Sequence, residues 1–236
     1  MDFPRTRYLL LAAVVAVACN SSNNERDDLL IQSLFSSQYN QKQLDDIRRR
    51  MPEIEERLIV AYDSREPGRE VLAIGEILSE LGTRKTGEYI DGNLKSKDEQ
   101  KVALALNLLR NKANVSAVTF EKVRMLLSFP SDRVQLGAVT VLVRDSHQGS
   151  RKAVLNVLKQ AGPDDRPRLL SAFNSRDAKW YFGHIVSYLR DKNDEVRIAA
   201  AYALFAIDRA RAVEVVSRHR ERSERVKREL DLLLGR

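Results

Sequence analysis

The chain has 236 residues, of which 43% are hydrophobic, 31% charged and 6% aromatic, with 10 Gly and 6 Pro. That supports one compact domain or one short repeat array, but it supplies too few turn residues and strand-filling aromatics for a β-sandwich, so the expected class is all-α. The net charge of +7 is moderate and of mixed sign; a single cysteine excludes an internal disulfide or a Cys-based zinc site, and His147, His184 and His219 lack ligand spacing.

Residues 1–18 open with Arg5 and Arg7, followed by an uncharged apolar run of 11 residues from Tyr8 to Ala18. The run is too short to span a bilayer and reads as a signal segment. Small residues then lead into the single cysteine: Ala16-Val17-Ala18-Cys19. This resembles the lipobox of bacterial lipoprotein signal peptides, with Ala16 where Leu is usual. The resemblance implies removal of residues 1–18, lipidation of Cys19 (palmitate among the acyl chains) and attachment to the cell envelope, facing the periplasm or exterior. The alternatives are a plain cleavable signal and an uncleaved anchor. Residues 19–27 are a polar tether. Residues 28–65 are expected to form capping helices broken at Pro52, with Glu53, Glu55, Glu56 and Arg57 on a polar outer face.

Residues 66–236 read as a repeat array. Small residues at Gly75, Ala105, Ala138, Ala172 and Ala200 stand in similar apolar settings, at spacings of 30, 33, 34 and 28. A mean near 31 falls within the range of helical solenoids. Acidic residues Asp98, Asp132, Asp165 and Asp194 stand at or near the starts of the first helices. Second helices are expected at 84–95, 116–128, 151–161, 179–190 and 210–220. In the fourth, Phe182, Ile185, Val186 and Leu189 form the apolar stripe. The charged stretch 217–229 reads as a C-terminal capping helix.

The segment Asp194-Glu195-Val196-Arg197-Ile198-Ala199-Ala200-Ala201-Tyr202-Ala203-Leu204 resembles a HEAT repeat of the short bacterial kind, and Asp132–Leu142 is a second copy. The likeness covers roughly 66–220. It implies a right-handed α-solenoid of about five HEAT-like helix pairs with a concave groove lined by the second helices.

No nucleophile elbow, Walker A sequence or dinucleotide loop occurs. The acidic pairs Asp27-Asp28, Asp45-Asp46 and Asp164-Asp165 stand at caps and linkers, so no catalytic residue, metal or cofactor is expected. On 179–190, Trp180, His184 and Tyr188 recur at i, i+4, i+8, with Tyr181 beside them. Trp180 is the one tryptophan. These four residues are the candidate partner-binding set, since aromatics with polar tips anchor interfaces; the alternative is that they pack as core. The basic run Arg209–Arg228 holds eight basic and three acidic residues, with Glu214, Glu221 and Glu224 placed for pairing along the surface.

The sequence therefore predicts a non-enzymatic protein-binding scaffold tethered by Cys19, with another protein, acidic in character, as partner. Alternatives are a HEAT-like DNA-binding enzyme of the alkyl-base glycosylase type, which export disfavours because DNA is cytoplasmic, and a structural subunit of an envelope complex.

Overall fold

The structure is a computed structural model that describes residues 41–64 and 69–236. Cys19, the expected signal segment and tether, and the start of the expected N-terminal cap lie outside those residues. Every regular element among the described residues is helical, and none is a strand. No described helix is long and apolar enough to cross a membrane. The chain divides into two compact units, one ending at Asn114 and one beginning at Val115.

The first unit contains α1 (Gln41–Asp63), α2 (Arg69–Leu81), α3 (Arg84–Asn93) and α4 (Glu99–Asn111). Helix α1 packs on α2 and α3, and α4 packs on α2 and α3. The break expected at Pro52 does not occur: α1 runs straight through it. A proline inside a helix removes one backbone hydrogen bond and costs roughly 3 kcal/mol. The opposing term is burial, because Ile47, Met51, Ile54, Leu58 and Tyr62 form one fully buried stripe that spans the proline. Each such side chain contributes about 1.5–3 kcal/mol when buried, so the stripe outweighs the break.

Glu55 is also not on a polar outer face. It is 1% exposed. Its carboxylate accepts from the backbone N–H of Thr83 (2.6 Å) and Thr86 (3.0 Å), and from their hydroxyls at 2.5 and 2.7 Å. Burial alone would push this carboxyl up, but these four hydrogen bonds outweigh it and hold Glu55 below its ordinary value. Thr83 is the N-cap of α3, yet its own side chain caps nothing; α1 supplies the cap instead.

Gly75 sits where α2 meets Tyr62. A Cβ there would lie 3.0 Å from the Tyr62 ring. The Tyr62 hydroxyl donates to the Leu104 carbonyl (3.0 Å) and accepts from Asn107 (3.1 Å). The small residue thus admits a ring that links α1 to α4.

The second unit contains α5 (Ala117–Met125), α6 (Asp132–Leu142), α7 (Gln148–Gln160), α8 (Arg166–Leu170), α9 (Phe182–Val186), α10 (Asp194–Ile207), α11 (Arg209–Ser217) and α12 (Glu224–Leu234), with 3₁₀ turns at Leu126–Ser128, Arg176–Tyr181 and Ser187–Arg190. Helix α6 packs on α5, α7 and α8, while α10 packs on α8, α9, α11 and α12.

The repeat spacing has a local structural counterpart. Asp98, Ser131, Asp165 and Asn193 are the N-caps of α4, α6, α8 and α10. Each stands seven residues before a buried alanine: Ala105, Ala138, Ala172 or Ala200. In three of the four, the cap side chain accepts a backbone N–H of the first turn. One further contact repeats: Gln135 donates to the Phe129 carbonyl (3.0 Å) and Arg197, at the equivalent place, to the Asp191 carbonyl (2.9 Å).

The stretch 217–229 is not one helix. Helix α11 ends at Ser217, residues 218–223 form a loop, and α12 follows, closed by Gly235 at a φ of 75°. Arg197 holds that loop. Its guanidinium donates to both Glu221 oxygens (2.9 and 3.1 Å) and to Asp194 (2.7 Å). Glu221 also accepts the N–H groups of Arg222 (2.7 Å) and Ser223 (2.8 Å). Burial would raise the Glu221 carboxyl, but Arg197 and these two amides bring it down to about 2. Glu214 and Glu224 do pair locally, with Arg218 at 3.0 Å and Lys227 at 4.0 Å.

Candidate functional site

The expected helix 179–190 is interrupted. A 3₁₀ turn covers Arg176–Tyr181, α9 takes five residues, and Ser187–Arg190 is 3₁₀ again. The Ser187 hydroxyl donates to the His184 carbonyl at 2.7 Å, a local bond that competes with continued α-helix. The apolar stripe keeps its role: Phe182, Ile185 and Leu189 are buried, with Ala178 ahead of them, and Val186 is half-buried.

The four candidate contact residues separate. Trp180 is 41% exposed. Its ring centroid lies 4.9 Å from that of exposed His184, at 39°. Those two form one exposed aromatic pair. Tyr181 does not belong with them on the surface: it is 1% exposed and packs edge-on to Phe173 at 5.0 Å. The 3₁₀ turn accounts for this, since successive residues there step by more than in an α-helix, placing Trp180 outward and Tyr181 inward. Tyr188 is half-buried. Arg166 lies over its ring at 5.7 Å and is itself fixed by Asp191 (3.0 Å) and the Ala161 carbonyl (2.7 Å).

Arginines from neighbouring helices surround this segment. Arg151 of α7 lies over Trp180 at 4.9 Å, and Arg211 of α11 over Phe182 at 4.2 Å. Neither pairs with a carboxylate among the described residues. Stacking fixes each guanidinium while leaving its charge uncompensated. Within 176–190, the charged residues are Arg176, Asp177, Lys179 and Arg190, and the single acid, Asp177, pairs with Arg144 at 3.5 Å. The surface around Trp180 is therefore aromatic and cationic.

A shallow groove between α6, α7 and α8 is lined by Asp132, Gln135, Asp165 and Arg168. Its charged groups are tied to one another, because Arg168 bridges Asp132 (3.2 Å) and Asp165 (3.4 Å). Among the described residues no group of three His, Cys, Asp or Glu could hold a metal ion.

The sequence reading missed Arg151 and Arg211. Each lies about one repeat length from the ring it covers, so the repeat spacing itself was the available signal. Lipidation of Cys19 falls outside the described residues. No protein-family model matches the chain, and no curated protein sequence is significantly similar to it.

Proposed function

We propose that this protein is a non-enzymatic binding scaffold that holds an acidic protein partner. Its helix pairs stack as a HEAT-like α-solenoid of about five, and a lipidated Cys19 tethers it to the bacterial envelope. The observation that carries the binding reading is Trp180: a large exposed aromatic, held by His184, Tyr181 and Arg151, in a cationic setting. Preorganised aromatic and arginine groups are typical interface anchors, because little entropy is lost when they engage. Uncompensated cations nearby favour an acidic partner and speed its approach. The recurring interval between N-cap and buried alanine supports the array, since residues with the same local role return once per repeat.

The test is a pull-down from membranes in mild detergent, with wild type beside Trp180→Ala and His184→Ala. The expected result is a stable acidic partner retained by wild type and weakened in both variants, whose thermal midpoints stay close to wild type. Equal retention by all three proteins would show that the partner docks elsewhere. Cys19→Ser should move the protein out of the membrane fraction; unchanged membrane association with no acyl mass on the N-terminal peptide would refute the tether.

A further inference from the structure

Arg151 is a half-buried cation held by an aromatic ring. Its guanidinium lies over Trp180, it has no carboxylate partner among the described residues, and its Nε is fully buried without a hydrogen-bond acceptor. Tyr181 supplies a second such donor: the side chain is 1% exposed and its hydroxyl is buried without a partner. The Arg151 charge reaches the Tyr181 hydroxyl. Burial pushes the Tyr181 hydroxyl well up, with the Arg151 charge opposing that rise and the Asp145 charge adding to it. Asp145 is already engaged, accepting from the Ser150 hydroxyl at 2.6 Å and the His147 amide at 3.0 Å.

Buried donors without acceptors are destabilising, and native proteins keep few of them. Two of them here, one cationic and one aromatic, lack an acceptor from the chain, beside an exposed tryptophan. Arg151 as a whole is half-buried, so part of its side chain is reachable from outside while Tyr181 backs it from the core. Its guanidinium suits an incoming anion with two planar acceptor atoms, since an arginine edge matches a carboxylate fork. We propose that Arg151, backed by Tyr181 and flanked by Trp180, is an anchoring socket for a carboxylate side chain of an acidic protein segment. The assignment rests on the scaffold reading above and names the chemistry of its anchor. Stacked nucleic-acid bases fit less well, because the Trp180 ring already carries Arg151 and His184, and a base would have to displace one of them. An anionic membrane fits less well too, because headgroup binding draws on dense basic clusters rather than on one seated guanidinium.

Trp180 is the sole tryptophan, so its emission reports on the socket directly. Full-length protein is titrated with a capped hexaglutamate peptide at physiological ionic strength, beside hexaglutamine, a thymidine oligonucleotide and phosphatidylglycerol vesicles. Saturable binding of hexaglutamate is expected, weakened roughly tenfold in Arg151→Gln, less in Arg151→Lys, and about threefold in Tyr181→Phe. The proposal is overturned if hexaglutamate binds no better than hexaglutamine, or if the oligonucleotide or vesicles bind more tightly. It is equally overturned if folded Arg151→Lys and Tyr181→Phe bind as wild type does; these two keep the test decisive should Arg151→Gln fail to fold. A membrane pull-down separates this from the scaffold reading. A stable partner retained equally by wild type and Arg151→Gln sinks the socket alone. Arg151-dependent peptide binding with no membrane partner sinks the scaffold alone.

Discussion

Helix α10 and the segment Arg166–Arg190 begin with the same interval between N-cap and buried alanine, and then part ways. In α10, Asn193 caps the first turn, three buried alanines (Ala200, Ala201 and Ala203) fill the close contacts, and Arg197 fastens the following loop; the helix runs 14 residues. In the other segment, Asp165 makes no side-chain cap bond and α8 stops after five residues. There the Ser171 hydroxyl donates to the Arg168 carbonyl at 2.6 Å. The following turns are 3₁₀, and Trp180 is turned outward. The regular region spends its polar groups on internal bonds. The irregular region turns Trp180 and His184 to the outside while Phe173, Tyr181 and Phe182 stay in the core, and an exposed aromatic pair of this kind suits recognition.

The comparison can be broken most severely at Arg197. Arg197→Met leaves Glu221 buried without its cation and should cost roughly 3–4 kcal/mol, read as a lower urea midpoint. A cost below that of Arg166→Ala would show that the regular region is not the better-fastened one. Overpacking comes next. Ala200 is fully buried, and Ala200→Leu should cost about 1–3 kcal/mol; a neutral result would mean that the contact at this position is loose.

Acid sharpens the contrast through Glu221. Its folded value is depressed to about 2 from an ordinary 4.5. The stability it contributes is therefore present above pH 4.5 and lost as the pH falls toward 2. Wild type should lose on the order of 2 kcal/mol more than Glu221→Gln across that window, followed by urea unfolding at stepped pH; parallel curves would remove Glu221 from the account. The smallest effect is expected at the exposed pair. His184→Ala should move stability by less than about 0.5 kcal/mol, and a larger drop in the thermal midpoint would assign His184 to packing.

What was legible in the sequence was local. Asp98 at its cap, the small residues at Gly75, Ala105, Ala138, Ala172 and Ala200, and most helix boundaries depend on neighbours a few residues away. What was not legible depends on distant partners. Pro52 is overruled by a stripe that only packing reveals. Glu55 and Glu221 look like surface carboxylates until α3 and Arg197 are brought to them. The outward Trp180 and inward Tyr181 depend on a 3₁₀ turn that a uniform helical period does not describe, so the expected row of four resolved into one exposed pair, one half-buried ring and one core residue.

The borrowed cap on α3 also governs the order in which the first unit can come apart. A helix of ten residues is marginal in isolation, and this one takes the acceptor for its first-turn amides from Glu55 of α1. Undocking α1 strips α3 of that acceptor at the same moment, so the two helices open together. The Thr83 and Thr86 amides should then exchange their hydrogens at the rate of the α1 core, far more slowly than the amides of a frayed helix end.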